Sequence, residues 1–210
     1  GSDMEGVDES VPYPSRYHAH YPHTKALAEQ AVVEAARTGL PAVILRPHLI
    51  WGPGDRHLVP RILERSESLR IVGPGRNVVD TTYIDNAADA HLLAAGALRT
   101  DPGLSGRIYF ISQDDPIQLW EMVNRILRAG NKPPVTRHIS HRAARAAGSS
   151  LEFLYRFLNL KGEPRMTRFV ADELATSHWF DISAAKRDLG YRPAISTQEG
   201  LRRLKNWLSR

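Results

Sequence analysis

Pro41-Ala42-Val43-Ile44-Leu45-Arg46-Pro47 is a short, mainly apolar run closed at each end by proline. Apolar and polar residues do not alternate in it, so it reads as a strand covered on both faces. Ahead of it, residues 21–37 are rich in helix formers, with Leu27, Ala31, Val32 and Ala35 at helical spacing and Gly39 where a C-cap belongs. A helix of about four turns therefore feeds through a short loop into a buried strand, the rhythm of a doubly wound α/β fold with a parallel sheet. A parallel strand needs neighbours, and nothing earlier in the chain reads as one. Core strands are therefore expected upstream, in an N-terminal half that this chain lacks.

Working outward, helical periodicity recurs at 58–66, 117–129 and 141–160, and short strands are expected at 70–72, 79–84 and 107–112. Asp85 is placed to cap a helix through residue 98, and residues 183–189 form a short helix stopped at Gly190. Ser196 and Glu199 make a capping box for a last helix ending near Arg210. Residues 1–15, acidic and then proline-rich, show neither period and read as an extended surface segment. There is no internal repeat.

The 210 residues are 42% hydrophobic and 24% charged, an ordinary globular composition. With no cysteine, disulfide frameworks, thiolate nucleophiles and cysteine-bound metal are excluded, and a reducing, cytoplasmic setting is the default. No apolar run has the roughly 18 residues of a membrane span. The net charge of +5 is spread over arginines scattered along the chain, with no basic run to track a phosphate backbone, which argues against nucleic acid as a partner.

Tyr21-Pro22-His23-Thr24-Lys25 places a phenol and an ammonium four residues apart on one helix face. An ammonium beside a phenol favours the phenolate, and the phenol can give a proton to a carbonyl oxygen whose carbon receives a hydride. A solvated helix face would carry the same spacing. A second motif separates the two: Leu45-Arg46-Pro47-His48-Leu49-Ile50-Trp51-Gly52-Pro53-Gly54-Asp55 follows after the intervening helix and strand.

Together these motifs resemble the extended short-chain dehydrogenase/reductases. The resemblance continues through Gly73-Pro74-Gly75-Arg76-Asn77, Thr82-Tyr83-Ile84-Asp85-Asn86, Asp181-Ile182-Ser183-Ala184-Ala185-Lys186 and Leu189-Gly190-Tyr191-Arg192-Pro193. Within that family the chain is similar to the 3β-hydroxysteroid dehydrogenase branch, and to bacterial members that reduce 2-alkyl-3-ketoacids in olefin biosynthesis. The resemblance implies the C-terminal part of a Rossmann-type doubly wound parallel sheet plus a smaller α/β substrate subdomain. Residues 1–57 would be the remnant of the dinucleotide-binding domain with the Tyr-x-x-x-Lys helix. Residues 58–210 would be mainly substrate-binding, interleaved with returning Rossmann elements.

It further implies Tyr21 as acid/base and Lys25 as its tuner and a ligand of the nicotinamide ribose. Pro47, Leu49 and Ile50 would meet the nicotinamide, and His48, His57 and Arg76 the substrate. The cofactor would be NAD or NADP, and the substrate a hydrophobic molecule with a 3-keto or 3-hydroxy group. The glycine-rich turn that holds a dinucleotide pyrophosphate is absent, so the chain alone is expected to be inactive. A homodimer is expected by the same resemblance. Alternatives are a sugar-nucleotide epimerase or dehydratase of the same family, and a non-catalytic ligand-binding module.

His18, His20 and His23 are poorly spaced for one metal and read as a polar rim, so no metal site is expected. Residues 141–160 combine Arg142, Arg145 and Arg156 with Leu151, Phe153, Leu154, Tyr155, Phe157 and Leu158. Such a helix packs on the second subdomain, covers an apolar substrate, or lies on a membrane surface, in that order of expectation. Trp120, Trp179 and Trp207 are expected as core anchors, and His91 as a packed or capped side chain.

Overall fold

The computed structural model describes residues 3–17, 20–162 and 164–210. In chain order the elements are β1 (Met4–Val7), α1 (His20–Arg37), β2 (Ile44–Pro47), β3 (Ile50–Trp51), α2 (Leu58–Glu64), β4 (Ile71–Val72), β5 (Val78–Val79), β6 (Thr82–Tyr83) and α3 (Ile84–Thr100). After a 3-10 turn at Pro102–Leu104 come β7 (Ile108–Ile111), β8 (Ile117–Gln118), α4 (Leu119–Ala129), β9 (His138–Ile139), α5 (His141–Phe157), α6 (Arg168–Glu173), β10 (His178–Phe180), α7 (Ser183–Asp188) and α8 (Thr197–Leu208). This is an α/β fold. Parallel pairs are β1 with β10, β10 with β5, β2 with β7, β3 with β6 and β4 with β9, while β8 runs antiparallel to β5.

Two cores divide the molecule. One is built on Tyr109, Phe110, Ile111, Phe180, Ile182 and Tyr191, joined by Met4, Val7, Val43 and Leu45. The other gathers Trp51, Val72, Val79, Tyr83, Trp120 and Leu127 with much of α2, α4 and α8. The chain crosses from the first to the second along 47–52. His48 N donates to Ile111 O (3.3 Å), Thr82 Oγ1 to His48 O (2.8 Å), and Thr82 N to Leu49 O (3.2 Å). Leu49 takes a left-handed φ of 43°, a costly conformation for a side chain of its size.

Several expectations change. The strand run 41–47 does find a parallel neighbour in this chain, but β7 lies downstream of it. The segment 1–15 contains β1, whose signal is hidden because Gly6, with φ 62°, interrupts its four residues under the Trp179 ring and shifts the register. The run 79–84 is broken into β5 and β6 by Asp80 and Thr81, and Ile84 already opens α3. Asp85 does not cap that helix. It lies in the first turn, where its Oδ2 accepts from Arg203 (3.0 Å).

At the last helix Ser196 Oγ accepts from Glu199 N (3.2 Å), but the Glu199 carboxylate turns to Arg202 and Arg203, so half of the box forms. The 117–129 helix starts two residues late, at Leu119, and the 141–160 helix stops at Phe157. Of the expected tryptophan anchors Trp120 is buried, whereas Trp207 is exposed and Trp179 only partly buried. Trp51 is the fully buried one. His91 is exposed, its Nδ1 against Ala87 O (2.7 Å).

Candidate active site

Tyr21 and Lys25 lie on the exposed face of α1, a helix with no fully buried residue. Tyr21 keeps 72% of its surface, and neither its hydroxyl nor the Lys25 ammonium has a hydrogen-bond partner among the described residues. The opposite face carries Ala26, Glu29, Val33 and Ala36, partly buried at three- and four-residue steps. Glu29 Oε2 accepts from Arg46 Nε (2.8 Å) and Glu29 Oε1 from Arg46 Nη2 (2.5 Å), while Tyr13 Oη donates to Oε1 (2.5 Å). The Arg46 guanidinium stacks 5.2 Å from the Phe110 ring centre. Burial pushes the Glu29 carboxyl up, but the hydrogen bonds from Arg46 and Tyr13 outweigh it and hold it below the usual range. The tyrosine helix is thereby tied to β2.

Beyond β2 opens a cavity of about 460 Å³, within the roughly 300–1,000 Å³ of small-molecule sites. Its walls are mainly apolar, with Trp51, Leu58, Val72, Leu119, Met122 and Val170 among them. His48, Thr81, Glu173 and His178 supply polar groups, and Arg61 and Arg165 stand at its solvent side. His48 and His178 have ring centres 6.1 Å apart. Burial, with His178 beside it, pushes the His48 imidazole down to about 4, so it is neutral near pH 7. His178 Nε2 meets Thr176 Oγ1 at 3.1 Å and its Nδ1 lies 3.9 Å from Glu173 Oε2. Burial raises the Glu173 carboxyl against the opposing pull of His178.

Among the residues singled out from sequence, His48 and Leu49 line this cavity, while Pro47 ends β2 and Ile50 begins β3 immediately beside them. His57 and Arg76 do not line it; both are exposed. His57 serves the start of α2 through its backbone. The Asp55 carboxylate accepts from the N–H groups of His57 (2.7 Å), Leu58 (3.2 Å) and Val59 (2.8 Å), satisfying donors that a helix start leaves open. Thr81, Glu173 and His178 are additions that sequence reasoning missed. The His178 strand has three residues, too few for a period, and Glu173 ends a six-residue helix that carried no prediction.

His18 lies outside the described residues, and among those described no group of three or more metal-ligating side chains comes together. No helix among them is long and apolar enough to cross a membrane. α5 packs on the start of α6 through Gly148 and lends Ala144 and Ala147 to the cavity wall, while Phe153 and Phe157 face outward.

The chain is 49% identical to a 2-alkyl-3-oxoalkanoate reductase of Shewanella oneidensis, over 98% of this chain and 56% of that protein. It is 50% identical to a 2-alkyl-3-oxoalkanoate reductase of Stenotrophomonas maltophilia, over 95% and 61%. A sterol-4-alpha-carboxylate 3-dehydrogenase, decarboxylating, of Schizosaccharomyces pombe is 35% identical over 99% and 62%. The chain thus spans about three-fifths of the length of these relatives. Among solved structures, the UDP-glucuronic acid 4-epimerase of Bacillus cereus with NAD superposes with a TM-score of 0.66 at 21% identity, over 100% of this chain and 57% of that one. The crystal structure of gox2253 superposes with 0.72 at 23% identity, over 97% and 60%. These likenesses bear on the fold alone. The sequence profile of the 3-beta hydroxysteroid dehydrogenase/isomerase family matches residues 1–136, and the chain belongs to that family.

Proposed function

We propose that this chain is the substrate-side part of an NAD(P)-dependent oxidoreductase that interconverts a 3-keto and a 3-hydroxy group on a hydrophobic molecule, a 2-alkyl-3-ketoacid or a steroid-like compound. The observation that carries the proposal is the apolar cavity that reaches His48 and Leu49, directly after the strand to which the Tyr21 helix is tied. The names of the relatives agree with such a substrate, and they share a carboxylate one carbon away from carbon 3. In this reading residues 1–57 complete a dinucleotide-binding domain supplied by a longer protein, and residues 58–210 mainly hold the substrate.

The residues present fit a nicotinamide. Tyr21 and Lys25 present polar ends without hydrogen-bond partners among the described residues on one open helix face, and the left-handed turn at Leu49 redirects the backbone between Pro47 and Ile50. The cofactor, NAD or NADP, would supply or accept the hydride at the carbonyl carbon. Tyr21 would hold the carbonyl oxygen and give it a proton; Lys25 would bond the ribose and favour the ionised phenol after transfer. The α1 and β2 pairing fixes where both act. Leu27, half exposed on α1, suits packing of a second copy along this helix. The outward apolar face of α5, with Arg156 and Lys161 near it, suits peripheral contact of a cytoplasmic enzyme with a membrane surface.

The test is NAD(P)H absorbance with the full-length protein and a 2-alkyl-3-ketoacid. Stoichiometric loss of absorbance with formation of the 3-hydroxyacid is expected. An epimerase or dehydratase would give no net change, and a binding module would bind without turnover; either result would overturn the proposal.

A further inference from the structure

We infer that His48, with Thr81 beside it, is the subsite that reads the substrate's carboxylate and sets a preference for 3-oxo and 3-hydroxy acids over neutral ketones and alcohols; this rests on the cavity being the substrate pocket. The cavity offers few hydrogen-bond donors away from its arginine-bearing mouth. His178 is engaged, with Thr176 on one ring nitrogen and Glu173 facing the other. Trp51 spends its indole N–H on Thr81 Oγ1 (3.1 Å). Arg65 and Arg70 donate to the backbone carbonyls of Arg165, Glu67 and Leu69.

Besides the Trp120 indole N–H, which is buried on this cavity with no partner among the described residues, two donors are unspent. Neither ring nitrogen of His48 has a hydrogen-bond partner among the described residues, and Thr81 accepts from Trp51 while its own O–H remains to be given. The His48 ring cannot swing away freely. It stands edge-on against Phe180, with centres 5.1 Å apart, and is tilted against His178. Thr81 is brought to the same wall because its neighbour Thr82 is bonded to both His48 O and Leu49 O. Thr81 is itself 2% exposed.

A donor on an apolar wall gains free energy when a ligand group accepts from it. The carbonyl oxygen of the substrate is taken by Tyr21, so the acceptor left for His48 is the carboxylate one carbon away. A neutral imidazole always carries one N–H, and a charged acceptor strengthens that bond. Glu173 also lines the cavity, and its carboxyl lies 3.9 Å from His178 Nδ1.

The experiment is calorimetric titration of the full-length protein, with NAD present, by 2-octyl-3-hydroxydodecanoic acid and by its methyl ester. The unsubstituted protein should bind the acid tighter by roughly tenfold or more, the size of one charge-assisted hydrogen bond. His48→Leu should bring acid and ester within about twofold of each other, and His48→Gln, which keeps a side-chain N–H, should restore much of the preference. Circular dichroism confirms folding, and the Gln variant carries the test if the Leu variant does not fold. Acid and ester binding alike, a preference that survives in His48→Leu, or one that disappears instead in Arg61→Met or Arg165→Met would overturn the inference. Absence of binding by both ligands would overturn the substrate-pocket reading itself.

Discussion

Glu29 and Arg46 form a two-pronged ion pair between the helix that carries Tyr21 and the strand that leads to the cavity, with both side chains largely removed from solvent. Removing one partner strands the other charge in partial burial, a loss larger than the net worth of the pair. Glu29→Ala should cost about 2–3 kcal/mol of stability. Chemical denaturation measures it, and Arg46→Met should cost distinctly less in the Glu29→Ala background than alone. Additive losses would show that the two residues act independently.

α5 approaches the segment before α6 so closely that a methyl group at Gly148 would lie 2.6 Å from the Thr167 carbonyl carbon and 2.7 Å from Arg168 N. Backbone cannot rotate aside as a side chain can. Gly148→Ala should therefore destabilise by about 1–3 kcal/mol, despite the better helix propensity of alanine. A melting temperature equal to that of the parent chain would mean that α5 does not need this contact.

Asp80 is fully buried beneath β10, its Oδ2 accepting from Phe180 N (2.8 Å). Burial, reinforced by the charges of Asp114 and Asp115, pushes its carboxyl up to about 6 against the Phe180 hydrogen bond. The folded state thus holds this proton through a pH range in which the unfolded chain has released it, and stability falls as pH rises from about 4 to 6. Asp80→Asn has no proton to lose. Its stability relative to the parent should rise by about 1.4 kcal/mol per pH unit across that window and level off above it. His48 titrates in both proteins, with its depressed value acting in the opposite direction, so the difference isolates Asp80. A difference that stays flat with pH would contradict the raised value.

The parts of this architecture that could be read from the sequence are those with enough residues to show a period or with fixed turn chemistry. The α1 helix starts within a residue of expectation, and β2 occupies the second half of the expected run 41–47, ending at Pro47. β1 and β10 were illegible. Each has three or four residues, and they pair with one another across more than 170 positions. Tyr21, Lys25 and His48 announce themselves by motif, whereas Thr81 and His178 gain meaning only when β3 pairs with β6 and β10 lies beside β5. His57 and Arg76 show the converse: polar residues in suggestive loops that the fold leaves in solvent.

The central claim is that Tyr21 gives the proton while a hydrophobic 3-ketoacid is reduced. Its most direct test is the rate of NAD(P)H oxidation by the full-length protein with Tyr21→Phe against a 2-alkyl-3-ketoacid. A fall in kcat of at least about a hundredfold is predicted, with cofactor affinity nearly unchanged. Turnover equal to that of the unsubstituted protein would contradict the account.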